Sequence, residues 1–303
     1  MKLYINYTPI DSGFLSINNT GLGNLLFQLA FQYVICKNYS LQFNSYFLSK
    51  YIEKLKTHYG LFNYKETIFR NINYDYNDLE FIDIEMKESL QSIFYDSNII
   101  NIIETNIDLN KNILITDSYL QSIKYIKEYE TDIQELLSPD EKSLNLIYSK
   151  YPVFLNNNII KISIHIRYNW GAGISYSGDY LKYCIEYFDK LYDNIGYIIV
   201  SDNIDIVKNN YHDDRFIYCE GNNDYIDIWI ISLCNHNIIC HSTFGWWGSF
   251  LNKSKNKIVL YPTDIISYFY INFFKFSDDY YLIKENIFPD NWVGIDINSI
   301  IKI

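Results

Sequence analysis

The sequence predicts an α/β fold with a parallel sheet in its second half, and three observations carry that prediction. From residue 159 onward, short apolar runs alternate with helical stretches, the pattern of strands joined by right-handed crossovers. Polar clusters close three of the runs at their carboxyl ends: His165-Ile166-Arg167, Ser201-Asp202-Asn203 and His241-Ser242-Thr243-Phe244. The chain is also large enough. Its 303 residues are 49% apolar and 20% charged, a globular composition, and a chain of this mass buries about three quarters of its extended surface.

In order along the chain, Gly21-Leu22-Gly23-Asn24 reads as a tight loop that enters a buried helix over residues 25–35. Residues 61–110 are polar and irregular, with weak amphipathic stretches. Residues 112–116 read as a short strand. Residues 121–137 read as a helix that stops before Ser138-Pro139-Asp140, and a second helix and a turn at Pro152 follow. A domain boundary is placed at residues 155/156, giving domains 1–155 and 156–303. In the second domain strands are expected at 159–167, 197–200, 215–218, 237–240 and, last, 257–261. Helices are expected at 179–191, with Asp179 as N-cap, and at 204–210, 224–234 and 246–252.

The formal net charge of -11 argues against a nucleic-acid partner, since such a surface repels phosphate backbones. Basic residues are scattered, and arginine occurs only at Arg70, Arg167 and Arg215. The 31 tyrosines and 19 phenylalanines read as coding bias and are given no function. Five cysteines without a Cys-x-x-Cys pattern show no disulfide or metal framework and favour a reducing compartment. No run of about 18 apolar residues is present, so a soluble, cytoplasmic or membrane-peripheral protein without a transmembrane segment is expected. Asp-x-Asp, Gly-x-Gly-x-x-Gly and the P-loop pattern are all missing from the sequence, which weighs against a metal-clamped nucleotide site, a dehydrogenase and an NTPase.

Open parallel sheets bind ligands outside the carboxyl ends of their strands. There Arg167 offers a permanently charged planar fork, and Ser242-Thr243 opens a helix whose free amides suit an anion. Together they point to a phosphorylated or nucleotide ligand. Helix capping by Ser242 and Thr243, a structural role for His165 and a structural ion pair for Arg167 remain the alternatives. Trp246 and Trp247 read as core rather than as a sugar platform.

Six ordered segments over residues 20–293 resemble the α-1,2-fucosyltransferases, glycosyltransferase family 11. The first is Gly21-Leu22-Gly23-Asn24-Leu25-Leu26-Phe27-Gln28, and the second Tyr119-Leu120-Gln121-Ser122-Ile123-Lys124-Tyr125. His165-Ile166-Arg167 is similar to the start of the family's His-x-Arg-Arg-Gly-Asp-Tyr, and Ser201-Asp202-Asn203 to its Ser-Asp-Asp. The most specific block is residues 232–239 with Ser242-Thr243-Phe244-Gly245-Trp246-Trp247-Gly248; Phe288-Pro289-Asp290-Asn291-Trp292 is also similar.

The resemblance implies two facing Rossmann-like domains of GT-B type, the N-terminal one on the acceptor side and the C-terminal one holding the donor. It implies inverting transfer of L-fucose from GDP-fucose to a glycan hydroxyl, the 2-hydroxyl of a galactose, with no metal and no cofactor beyond the donor. Catalysis is carried onto Arg167, as the diphosphate clamp, and His165, which orients the nucleotide. Donor binding is carried onto the same two residues and onto Asp202, Asp227, Ser242, Thr243, Phe244, Gly23 and Asn24. Asp202 either binds ribose or supports the sheet edge, and Asp227 either reads the guanine edge or caps structure. The sequence departs from the family where Tyr168-Asn169-Trp170-Gly171 follows Arg167, losing the second arginine and the aspartate. Rival readings are therefore a transferase with another nucleotide-sugar donor and a non-catalytic glycan- or nucleotide-binding protein.

Overall fold

The computed structural model describes residues 2–5, 21–43, 56–57, 60–61, 64–72, 84–87, 95–107, 109, 111–116, 120–168, 178–263 and 280–296. The chain forms two compact units. One comprises Met1–Leu137 with Tyr281–Pro289, the other Ser138–Tyr280 with Asp290–Ile303.

The first unit carries a four-stranded sheet ordered β2-β1-β6-β5, built from β1 (Lys2–Ile5), β2 (Gln42–Phe43), β5 (Ile84–Lys87) and β6 (Ile113–Thr116). All of its pairings are parallel. A separate antiparallel ribbon joins β3 (Lys56–Thr57) to β4 (Gly60–Leu61). Helix α1 (Leu22–Asn38) is buried almost all round, with Gln28 and Gln32 inside as well, as expected of a helix apolar on every face. It begins earlier than the sequence suggests. Gly21 is its extended N-cap and accepts from Asn24 N at 3.0 Å, so Gly23 and Asn24 stand in the first helical turn rather than in a loop.

The polar stretch before residue 110 holds β5 and α2 (Ser97–Ile107). The expected helix over 121–137 breaks into two 3-10 turns followed by α3 (Glu130–Leu136). Leu120 at φ 52° and the Ser122 hydroxyl capping Lys124 N turn the chain there.

The second unit begins before the expected boundary. Helix α4 (Glu141–Lys150), capped by Asp140, leads into a 3-10 turn at Pro152–Leu155, and both lie in this unit. Lys150 Nζ reaches Asn222 Oδ1 at 2.7 Å, and the Tyr151 hydroxyl accepts from Asn222 Nδ2 at 2.9 Å and Glu220 N at 3.1 Å. These bonds tie residues 138–155 to the second unit, where the sequence reading assigned them to the first. In exchange, α9 (Tyr280–Ile287) packs in the first unit apart from its first residue, and buried Asn286 Oδ1 accepts from Tyr95 N at 2.8 Å and the Ser122 hydroxyl at 3.2 Å.

The sheet of the second unit is six-stranded and all parallel, ordered β12-β11-β10-β7-β8-β9. Its strands are β7 (Ile160–Ile166), β8 (Ile195–Ser201), β9 (Phe216–Tyr218), β10 (His236–Ile238), β11 (Val259–Pro262) and β12 (Val293–Ile295). The edge strand β12 was not expected. Helices α5 (Gly178–Asp189), α6 (Ile204–Asn210), α7 (Asp224–Ser232) and α8 (Thr243–Phe250) alternate with them. Helix α5 starts at Gly178, so Asp179 is a first-turn residue rather than its N-cap.

Strand β7 alternates Ile160, Ile162, Ile164 and Ile166 with Lys161, Ser163 and His165. Such alternation usually marks a strand with one wet face, yet its last six residues are all buried. The isoleucine face packs with Tyr180, Leu181, Phe188 and Val207. The polar face is paired inside the protein: Ser163 Oγ accepts from Asn237 Nδ2 at 2.7 Å, and Asn237 Nδ2 also reaches Ile231 O of α7 at 2.9 Å. Gly248 lets α8 meet α7 there, because a Cβ would lie 2.5 Å from Ile231 Cγ2. Among the described residues no helix is long and apolar enough to cross a membrane.

Candidate active site

The strand order reverses direction at β7. From it the chain steps through β8 and β9 to one edge, then returns to β7's other flank with β10 and continues through β11 to β12. The crevice outside the carboxyl ends of β7 and β10 is therefore the topological switch point, where open parallel sheets take their ligands. Arg167 follows β7 directly. Cys240, His241 and Ser242 follow β10 and lead into α8.

Register explains the first contact. Ile166 pairs with Ser201, so Arg167 and Asp202 emerge side by side. Arg167 Nη1 lies 3.3 Å from Asp202 Oδ2, with side chains 23% and 7% exposed. Asp202 Oδ1 accepts from Tyr168 N at 2.7 Å. The Asp202 carboxylate braces the two strand ends and holds the arginine. Neighbouring parallel strands each ending in a charged residue were the signal for this pair.

Ser242 is the N-cap of α8 and its Oγ accepts from Phe244 N at 3.2 Å. Accepting this bond leaves the hydroxyl hydrogen for donation, so capping and anion binding are compatible. Thr243 is half-buried in the first turn. The Phe244 amide bonds the cap, and its ring lies 5.2 Å from that of His165. Lys257 Nζ bonds the carbonyls of Ser249, Phe250 and Asn252 at the opposite end of α8, so a cation and an open amide end complement the helix dipole. Trp246 stacks on Phe250 at 4.9 Å, and both tryptophans are buried, as core residues.

His165 is 3% exposed. Burial, and secondarily the Arg167 charge, push its pKa down to about 3, so the ring is neutral and weakly basic. Its Nδ1 lies 3.2 Å from Cys240 Sγ. Sequence reasoning did not connect Cys240 or Gly245 with the site. Burial likewise lowers His241 to about 4.

Asp227 lies one turn into α7, near the carboxyl end of β9. It accepts from Asn222 Nδ2 at 2.8 Å, and burial raises its pKa to about 7. Asn222 in turn meets Lys150 and Tyr151. Tyr168 departs from the arginine expected there; its ring packs on the isoleucine face, and its hydroxyl accepts from Asn210 Nδ2 at 3.1 Å. Residues 169–171 of that segment lie outside the described residues.

In the first unit, Asn24 Oδ1 accepts from Gln121 Nε2 at 3.0 Å, bringing together two of the family-like segments. Gly23 is buried beside Asn24. Among the described residues no group of three or more His, Cys, Asp or Glu side chains is arranged to hold a metal ion.

Comparison with known proteins bears on the same region. Residues 169–296 match the model of glycosyl transferase family 11. The chain is 30% identical over 162 residues to an O-antigen biosynthesis glycosyltransferase, WbnK, of Escherichia coli, covering 48% of this chain and 53% of that protein. It is 24% identical over 167 residues, with the same coverage, to an alpha-1,2-colitosyltransferase of Escherichia coli. It is 27% identical over 210 residues to a galactoside 2-alpha-L-fucosyltransferase of Caenorhabditis elegans, covering 60% of this chain and 53% of that protein. The chain thus spans about half the length of the curated relatives it matches. The family-like segments at Gly21–Asn24 and around Gln121 lie outside the family-model match, and His165, Arg167 and Tyr168 immediately precede it.

Proposed function

We propose that the chain is a glycosyltransferase that moves L-fucose from GDP-fucose to a glycan hydroxyl, the 2-hydroxyl of a galactose, with inversion and without a metal ion. One observation carries this reading. The β7/β10 switch point sets a braced arginine beside the amide end of a serine-capped helix, a pairing suited to a diphosphate. The names of the matched relatives support a deoxyhexose as the transferred group.

On this reading the acceptor oxygen attacks the anomeric carbon as its bond to the β-phosphate oxygen breaks. GDP leaves with the electron pair, and the acceptor's proton passes to water on the attacking face. Charge grows on the diphosphate as the sugar departs, and preorganised donors there lower the barrier. Arg167 supplies the fixed cation, with Asp202 holding its fork. The Ser242 hydroxyl and the first amides of α8 supply neutral donors. Asp227, beside Asn222, offers an acceptor to the N–H edge of guanine. His165, buried and neutral, packs beneath the helix end and does not act as the base.

A second reading, transfer from a related nucleotide sugar, is favoured by Tyr168 standing where the family has a second arginine. Thermal shift with EDTA present separates the readings. GDP should raise the Tm through mass action, UDP should not, and GDP-fucose should then support transfer to a galactoside. Equal shifts with UDP, or a requirement for manganese, would overturn the donor or the metal-free mechanism. A GDP shift with no transfer from any GDP-sugar would mark a binding protein instead.

A further inference from the structure

His165 sits on the polar face of β7, under the first turn of α8. A Cβ on Gly245 would stand 2.6 Å from its Nδ1 and 3.0 Å from its Cγ, so this helix turn packs on that edge of the ring and only glycine admits it. Phe244 covers the ring at a centroid distance of 5.2 Å. Cys240, 6% exposed, brings Sγ to 3.2 Å from Nδ1.

We propose that Cys240 is a positioning residue that fixes His165 in its Nε2–H tautomer and makes the ring edge remote from Gly245 a hydrogen-bond donor. The direction of the bond follows from the chemistry of the two atoms. A thiol sulfur is a weak acceptor, whereas the unprotonated nitrogen of a neutral imidazole is a good one, so the thiol proton points to Nδ1. Nε2 must then carry the single ring proton. A thiolate–imidazolium pair is the charged alternative, and it places two ions in a site that excludes water. Burial and the nearby Arg167 charge both disfavour the imidazolium. A donor edge suits an oxygen-rich, anionic ligand at the switch point and cannot accept a proton from a sugar hydroxyl. The consequence for donor binding rests on the functional reading above; the tautomer does not.

Long-range 1H–15N spectra of the full chain with labelled histidine, at pH 7.5 without ligand, test the tautomer directly. The His165 signals are those lost in His165→Gln or, where that variant does not fold, those shifted in Cys240→Ser. Wild type should show protonated Nε2 and bare Nδ1. Cys240→Ser, which keeps an O–H donor, should preserve the pattern, and Cys240→Ala should release a mixture of tautomers. GDP affinity should fall about threefold to tenfold in Cys240→Ala and stay within about twofold in Cys240→Ser. A protonated Nδ1 or an imidazolium in the wild type, or a Cys240→Ala spectrum unchanged from it, would overturn the inference. So would unaltered GDP affinity alongside a released tautomer. Wild type that binds no GDP yet shows the Nε2–H form would instead defeat the donor reading and leave the tautomer assignment standing.

Discussion

Arg215 stands just before β9, at the amino edge of the six-stranded sheet, and Arg167 just after β7, at its carboxyl edge. Arg215 is chelated on two sides. Its Nε and Nη2 bond both oxygens of Asp213 at 2.9 and 2.7 Å, and its Nη1 and Nη2 meet both oxygens of Asp189 at 2.5 and 3.2 Å. Its plane also lies 5.0 Å from the Tyr197 ring centroid. Arg167 meets Asp202 at 3.3 Å, and that carboxylate is shared with Tyr168 N. A guanidinium locked by two bidentate partners ties α5 to the β9 entry. Arg167, paired with Asp202 just past β7, stands at the edge where open parallel sheets take their ligands. Scarcity of arginine flagged both residues; strand direction tells their roles apart.

The largest expected effect tests that division. Arg167→Ala should lower kcat/KM for transfer by about 10²–10³, and Arg167→Lys should remain severely impaired because an ammonium cannot reproduce the planar fork. A purely catalytic Arg167 would leave the Tm of Arg167→Ala unchanged. With Asp202 only 7% exposed, removing its cation strands a nearly buried carboxylate, so the Tm should fall by several degrees and recover in part in the double variant with Asp202→Asn. Full activity in folded Arg167→Ala would erase the distinction between the two ends.

Asp202→Asn alone is the next step down. The amide oxygen keeps the bond from Tyr168 N, but the charge opposite Arg167 is lost. About a tenfold drop in kcat/KM is expected, with most of the stability kept. An unchanged rate would reduce Asp202 to a sheet-edge support.

Arg215→Ala should do the reverse. Its carboxylate partners are 34% and 25% exposed, so solvent screens the pair and a Tm loss of about 2–6 °C is expected, with kcat/KM unchanged within about twofold. A large rate defect at intact stability would show that the amino edge is coupled to the chemistry.

Acid should fail to distinguish the two ends. His165 and His241 at the carboxyl edge, and His236 at the amino edge, are held neutral by burial, at about 3, 4 and 4. A histidine with a lowered folded pKa contributes stability that is complete above the unfolded value of about 6.5 and is lost as pH falls through the folded value. Asp227, raised to about 7, works the other way: its penalty is full above 7 and fades as pH falls toward 3.8. Three histidines outweigh one carboxyl, so the Tm should drop steadily from pH 6.5 to pH 4.5. A flat profile would show these rings to be hydrated.

What the sequence made legible follows from where its information is local. Strands β7 and β8 announce themselves through isoleucine, and α6 was read at its observed ends because Asn203 caps it by accepting from Ile206 N. The first unit hides its elements: β5 is Ile-Glu-Met-Lys, with no apolar run, and a non-glycine residue at positive φ breaks the helix expected after residue 120. At the site, Arg167, Asp202 and Ser242 were legible as strand-end and cap residues. The His165–Cys240–Gly245 contact was not, since it joins a strand, the residue two beyond another strand and a helix turn, and only register and packing bring these together. The Phe244–His165 ring contact was hidden for the same reason: a place beside the cap says nothing of where the ring lies.

Tyr168 offers the smallest effect and the finest test of the carboxyl edge. Read from sequence, the tyrosine replaces a second phosphate clamp, and Tyr168→Arg should then tighten GDP about tenfold. The structure changes that expectation. Tyr168 N is held by Asp202 at 2.7 Å, and its ring lies on the isoleucine face with the hydroxyl on Asn210 at the far end of α6. An arginine grafted onto this backbone would start along the same path, away from Arg167, and would put a guanidinium where a ring now packs. GDP affinity should therefore change by less than about twofold, while the Tm falls by a few degrees from lost apolar burial. Tenfold tightening at unchanged stability would mean that the side chain swings to the crevice when a diphosphate arrives. The carboxyl edge would then bear two arginines at its ligand, as the family pattern has it.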